Sequence, residues 1–455
     1  MLPNLGIAAA GALVAPCQPA PEPTPVPKAT EKPAQATVPA APAKVVELQV
    51  THSWPAELWP RQEQFDQTFN KEHPNIKVTG VNIVWADYVP KLTAAAAAGS
   101  MPDIMYCQYA WAQQFIVDKA VISLQPFLDK DKEFWGKDDF NPESLKSYTY
   151  KNQLYFVPYD EGPTNMIYYN IRLFDEAGVP YPHANKPWTL DDLLEAAIKL
   201  TRGEGEKKTW GIGNIPSMGG NLNEDYLSYW GGQFWVDPCE TECRIHEEAA
   251  IQCLQWWADF RLKWKCTPTP AEAQTISGNP FGASRVAMIR GASWDNRWIK
   301  AQLKDPYDVA HAVVDKNGKR HSSSMGSGYG ITKDCKNTDA AWEYERAYLS
   351  TEGQIFMWAA PGVGSTTRWS AYPAYFSSPL APKSAKVFME ALQQYAKHNI
   401  LDSPIGREIT LAATPFWDKA LLGEMSVKDC CQQITAAVKD IMKKNETWCK
   451  EAGLV

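Results

Sequence analysis

VELQVTHSWPAELWPRQEQFDQTFNKEHPNIKVTGVNIVWADYVPKLTAAAAAGSMPDIMY, residues 46–106, decides the fold. Val46-Glu47-Leu48-Gln49-Val50-Thr51 alternates apolar and polar side chains with the period of a strand. Leu58 to His73 then places Leu58, Phe65 and Phe69 at helical spacing. Ile76-Lys77-Val78 forms a second strand, Tyr88 to Ala98 is an alanine-rich helix closed by Gly99, and Asp103-Ile104-Met105-Tyr106 is a third short strand. The order β-α-β-α-β predicts a mostly parallel, doubly wound sheet. Sheets of this kind take ligands at the carboxyl ends of their strands, here at Ser53-Trp54 and at Gln108 to Trp111.

Outward from this stretch, a second block begins near Glu161, with a strand through Met166-Ile167-Tyr168-Tyr169 and a helix over Leu190 to Thr201 whose N-cap is Thr189. Further helices are expected over Glu247 to Trp264, Thr338 to Thr351, Lys383 to Asn399 and Val427 to Lys444. A chain of 455 residues exceeds one ordinary core, so at least two domains are expected. No internal repeat is evident, and no segment after the N-terminal region has the length and apolarity of a membrane span.

Residues 1–17 read as an export signal. The run from Leu5 to Val14 fits a signal h-region and is too short to cross a membrane. Cys17, after Val14-Ala15-Pro16, resembles a bacterial lipobox cysteine, the site of lipidation, although Pro16 replaces the usual small residue and no Lys or Arg precedes the apolar run. Residues 18–45, almost entirely Pro, Ala, Thr, Glu and Lys, are expected to be a disordered tether, extending about 3.1 Å per residue where polyproline-like. The expected location is the outer face of the cytoplasmic membrane, lipid-anchored, or the periplasm.

The formal charge of −7 and the lack of a Lys/Arg-rich stripe exclude a nucleic-acid partner. No GxSxG, HExxH, P-loop or dinucleotide fingerprint is present, and no cofactor or metal site is expected. Of the ten cysteines, Cys239 and Cys243 lie four apart in a Pro-containing loop and are open to a local disulfide or to pairing with Cys253 or Cys266. A zinc site from this cluster and His246 matches no CxxC spacing. With Cys17 set apart, the odd remainder leaves at least one thiol free.

Several stretches together resemble the extracellular solute-binding proteins of bacterial ATP-driven importers, in their carbohydrate-binding, maltose-binding-protein-like branch. They are FNKEHPNIKV (69–78), KLTAAAAAGSMPDIMY (91–106), NQLYFVPYDEGPTNMIYYNIRLFDEAGVP (152–180), VAMIRGASWD (286–295), GSGYGITKDCKNTDAAWEYERAYLSTEGQ (326–354), PGVGS (361–365) and ALLGEMS (420–426). The resemblance runs from Val46 to the C-terminus and implies an α/β, two-lobed periplasmic-binding-protein fold. Each lobe is then a mostly parallel sheet flanked by helices, residues 46–160 plus 315–362 in one and 161–314 plus 363–455 in the other. Hinge crossovers are implied near Asp160-Glu161, Val313 to Asp315 and Gly362 to Arg368, with Gly362 and Gly364 suited to a hinge or a plain turn.

Sugars present apolar ring faces edged by hydroxyls, so a site for them needs aromatic platforms beside in-plane polar groups. The 19 Trp and 19 Tyr suit this requirement. Trp294-Asp295 occupies the position of the family's stacking tryptophan, and Tyr229-Trp230 precedes a Gly-Gly turn of the kind that faces the cleft in the family. Trp54, Gln108, Tyr109 and Trp111 follow first-lobe strands. Asp160 and Glu161 at the first crossover are read as sugar-hydroxyl acceptors or as a solvated turn, and Arg368-Trp369 at the third as a reader of an anionic group or as part of the turn. Trp85 and Trp358 are read as packing residues, and Trp256-Trp257 as core or interface.

The resemblance thus implies a monomeric substrate-binding lipoprotein that takes a sugar and hands it to permease subunits. The 108–111 stretch lacks the charged residues of the maltose-binding protein, so maltodextrin specificity does not carry over. A polyol phosphate or polyamine is the alternative ligand class. An enzyme is the distant rival, because adjacent residues in an extended strand face opposite ways and Asp160 and Glu161 could not flank one glycosidic bond.

Overall fold

A computed structural model describes residues 45–183, 185–213, 215–216, 227–235, 239–398 and 403–453. Cys17 and nearly all of the tether lie outside the described residues. The opening stretch forms β1 (Val46–His52), β2 (Ile76–Asn82) and β3 (Ile104–Gln108), which run parallel with β1 in the middle. Helices Trp59–Glu72 and Trp85–Ala98 make the returns, and Gly99 closes the second in the left-handed region at φ 65°.

A hairpin of β4 (Thr149–Tyr150) and β5 (Gln153–Leu154) leads to β6 (Val157–Pro163) and β7 (Met166–Asn170). The remaining strands are β8 (Trp210–Gly213), β9 (Val286–Gly291), β10 (Tyr307–Ala310), β11 (Ser322–Ile331) and β12 (Ala396–Lys397). One sheet has the order β12-β11-β3-β1-β2, with β6 also paired to β11, and a second has the order β10-β7-β9-β8. The second sheet departs from the mostly parallel expectation, since only β8 and β9 are parallel while β7 runs antiparallel to both β9 and β10. In the first sheet, β11 is likewise antiparallel to β3 and β6. The pairs β6–β7 and β10–β11 pass from sheet to sheet without a helical return, so the right-handed crossover rule that makes neighbours parallel does not govern them.

The buried side chains divide with the sheets. Leu48, Val50, Ile104, Tyr159, Tyr329 and Val363 belong to one apolar cluster. Ile167, Trp257, Trp417 and Ile434 belong to a second, and Met166, Tyr168, Tyr372 and Phe388 to a third on the same sheet. The chain therefore changes core between Tyr159 and Met166, between Val313 and Met325, and around Val363.

Thr189 caps helix Leu190–Leu200 in a reciprocal capping box with Asp192. The helix expected over 383–399 is shorter, Lys386–Gln394, because the chain leaves it to form β12. Helix Gly406–Leu422 had no counterpart in the periodicity, which Pro415 interrupts.

Cys239 pairs with Cys449, at a Cα separation of 5.6 Å, in place of the expected partners Cys243, Cys253 or Cys266. The C-terminal helix Asn445–Ala452 brings Cys449 back to this loop, where Asn445 donates to the Glu240 carbonyl. A non-reducing digest should therefore link the Cys239 and Cys449 peptides, and C239S should cost about 2–4 kcal/mol of stability. A Cys239–Cys243 peptide would contradict the pairing.

Candidate functional site

The carboxyl ends of β1, β2 and β3 open onto a cavity of about 1160 Å³, above the roughly 300–1,000 Å³ of ordinary small-ligand sites. Its first wall is built from the segments that follow these strands. Asn82, the last residue of β2, accepts from the Trp54 amide at 2.8 Å and donates to the Trp54 carbonyl at 2.7 Å. This two-point clamp sets where the chain leaves β1. From Trp54 an aromatic band runs in both directions, with ring centres 5.7 Å away at Trp358 and 6.0 Å away at Tyr106. Tyr106 lies 6.5 Å from Trp111, and Trp111 lies 4.7 Å from Trp85.

The other wall comes from the second sheet and the C-terminal helices: Trp235, Trp294, Arg297 and one side of helix Gly406–Leu422 from Gly406 to Pro415. Trp294 follows β9, and its placement depends on Gly162, where an added Cβ would lie 3.1 Å from its ring. Apolar side chains rim the opening, with Val84 70 %, Trp85 49 % and Leu411 62 % exposed. The charged side chains of the lining are Asp160, Arg297 and Arg407. Arg297 faces Glu57 at 3.6 Å, a pair that joins the segment after β9 to the segment after β1.

Trp54, Gln108, Tyr109, Trp111, Asp160 and Trp294 line this cavity together. The other singled-out residues lie elsewhere. Asp295 is turned into its own helix start, accepting from the Ala292 amide and the Trp298 indole at 2.8 Å each. Tyr229 donates to the Val313 carbonyl at 2.8 Å, and Trp230 packs on Trp256. Arg368, 4 % exposed, is bound to Asp139 and to the carbonyls of Phe134 and Leu349 and lies over the Phe140 ring. Trp369 stacks on Tyr372. Trp85 and Trp358, read as packing, both line the cavity, and Trp358 does so while only 2 % exposed. Asn82 and Tyr106 were absent from the reading although the strand-end rule that selected Trp54 points equally to them. Arg297, Trp235 and Arg407 carried no comparable signal. His246 meets Thr435, and Cys239 is taken by Cys449, so the cysteine cluster does not converge as a zinc site. Among the described residues no group of three or more His, Cys, Asp or Glu is placed to hold a metal, and no helix is long and apolar enough to cross a membrane.

Asp160 and Glu161 divide as adjacent strand residues must. Asp160 faces the cavity and accepts from both the amide and the hydroxyl of Ser327. Burial pushes its carboxyl up to about 6, against the pull of Ser327 and Arg297. Glu161 faces the crossover packing, where Asn141 and Ser324 donate to one oxygen and the other is buried without a partner. Burial pushes it up to about 8, with the charges of Asp160 and Glu143 acting in the same direction.

Both groups hold protons more tightly in the folded chain, so stability is greatest when they are protonated and falls as pH rises from about 4 to about 8. E161Q keeps the accepting oxygen and removes the charge. It should melt above the wild type at pH 8, by on the order of 2 kcal/mol, with the gap narrowing at pH 5. A gap independent of pH would contradict the assignment.

Two α/β bodies, joined by strands that cross between them and enclosing a cavity at the strand ends, define a two-lobed solute-binding fold. Residues 54–355 match the family model of the bacterial extracellular solute-binding protein, well over half of the chain, and the chain belongs to this family. A binding protein of Brucella abortus is 23% identical over 293 residues, covering 63% of this chain and 68% of its own. An ABC substrate-binding protein of Listeria monocytogenes, solved in complex with cycloalternan, is 21% identical with a TM-score of 0.76 over 89% of this chain and 100% of its own. An ABC transporter solute-binding protein of Thermotoga lettingae, bound with α-D-tagatose, is 21% identical with a TM-score of 0.72 over 88% of this chain and 100% of its own.

Proposed function

We propose that this protein is the substrate-binding component of an ABC importer, and that it captures a sugar or oligosaccharide between its lobes. The observation that carries this reading is the aromatic band from Trp358 through Trp54, Tyr106 and Trp111 to Trp85, facing Trp294 and Trp235 across one cavity. Indole and phenol rings take the apolar faces of pyranoses, while Asn82, Gln108, Asp160, Arg297 and Arg407 supply donors and acceptors for the hydroxyl edges. The sugars bound by the Listeria and Thermotoga proteins support the same ligand class.

In this reading the lobes are residues 46–160 plus 315–362 and residues 161–314 plus 363–455, closing on the ligand about the three crossovers. Cys17 carries the lipid, residues 18–45 hold the domain away from the membrane, and the closed form delivers its cargo to the permease. The protein binds its sugar and releases it unchanged. The split orientation of Asp160 and Glu161 supports binding over hydrolysis, because a glycosidase needs two carboxyls flanking one bond.

Calorimetric titration of residues 45–455 with tagatose, maltotriose, mannotriose and cycloalternan should find saturable binding to at least one. W294A and W54A should each weaken it tenfold or more, about 1.4 kcal/mol, with little change in melting temperature. Silence across the sugars together with binding of a polyol phosphate or a polyamine would overturn the ligand class.

A further inference from the structure

Trp54 is clamped through its backbone by Asn82, but its ring is held from behind. Its indole N–H donates to Oε1 of Gln62, one turn into helix Trp59–Glu72, at 3.3 Å. The ring centres of Tyr159, Trp358 and Tyr106 surround Trp54 at 5.5, 5.7 and 6.0 Å, with planes inclined by 58°, 43° and 57°, so none of them fixes its rotation by coplanar stacking.

Gln62 is fully buried, and each hydrogen-bonding position of its amide is used. Oε1 accepts from the Trp54 indole and from the Tyr348 hydroxyl at 2.6 Å. Nε2 donates to Oδ1 of Asp66 at 2.9 Å and to the Tyr344 hydroxyl at 3.1 Å, and Tyr344 in turn donates to the same Asp66 oxygen at 2.6 Å. An ionised carboxylate only accepts and an indole N–H only donates. Turning the amide over would set its NH2 against the indole N–H and its oxygen against the Asp66 carboxylate. Asp66 thus fixes which end of Gln62 meets Trp54.

We infer that Gln62, oriented by Asp66, is a positioning residue that holds the Trp54 ring as a binding platform while lying outside the cavity itself. The inference rests on the carbohydrate reading above for its functional meaning, though the geometry it asserts is independent of any ligand. Its structural competitor is simple: the same amide also ties helix Trp59–Glu72 to Tyr344 and Tyr348 of helix Thr338–Tyr348, and its loss could weaken the fold without touching the site.

Two readouts on residues 45–455 separate these roles. In a nitrogen-15 spectrum the Trp54 indole peak, identified by its absence in W54F, should be protected from solvent exchange in the sugar-free wild type. Q62M should reduce that protection at least tenfold and weaken the binding of maltotriose or mannotriose at least fivefold. Q62E keeps an oxygen facing the indole and should stay within threefold of wild type in both. Y348F removes the other bond to the same oxygen, so it should lower the melting temperature and leave both readouts unchanged. In the W54F background, Q62M should have no further effect on affinity.

An unprotected wild-type indole, unchanged protection in Q62M, or an equal loss of affinity for Q62M in the W54F background would each overturn the inference. Where Q62M fails to fold, wild-type protection and the Q62E result still decide it. A wild type that binds no sugar would fell the proposed function alone, because the exchange arm needs no ligand.

Discussion

The structure depends on the tight packing of its crossovers. Strand β6 lies against β11 so closely that a Cβ on Gly326 would fall 1.9 Å from the Asp160 carbonyl, and one on Gly162 would strike Ser293. Thr366 bridges to Asp160, and the hydroxyls of Ser293 and Ser365 both reach the Glu161 carbonyl. These contacts bring segments far apart in the chain to one backbone position, and that position sets Asp160 and Trp294 on opposite walls of one cavity. The glycines permit the approach, since any side chain there would push the walls out of register.

On this frame, the lining divides the work of recognition. Aromatic rings form the broad surfaces and are packed from behind by other rings and by fully bonded amides, as Trp54 is by Gln62. The few charged groups sit among them, and Asp160 remains acceptor-rich because Ser327 satisfies only part of its capacity. Burying Asp160 and Glu161 at the crossover works against the folded state at neutral pH. A stable fold tolerates this cost where closure must bring polar groups out of water and onto a ligand.

Local features of the fold were legible in the sequence because their causes are local. Alternation marked β1 to β3, Gly99 marked a helix end, and Thr189 with Asp192 marked a helix start. The strand-end rule located Trp54, Gln108, Tyr109 and Trp111, and the family resemblance located Trp294. What remained hidden depends on distant partners. Arg368 looked available at a crossover, yet Asp139 and the carbonyls of Phe134 and Leu349 consume it. Cys239 finds its partner 210 residues away. Trp358 was read as buried and is buried, but its surroundings also form a cavity wall, which sequence context cannot distinguish. Helix Gly406–Leu422 was lost to its internal proline, and with it much of the second wall.

The central claim is that one oligosaccharide or sugar lies between the Trp54 band and Trp294. A crystal structure of residues 45–455 grown with the bound sugar tests it most directly. The account predicts sugar rings stacked on Trp54 or Trp111 from one side and on Trp294 from the other, with Asp160 accepting a hydroxyl. A ligand seated elsewhere, or one held in this cavity without contact to Trp54, Trp111 or Trp294, would contradict it.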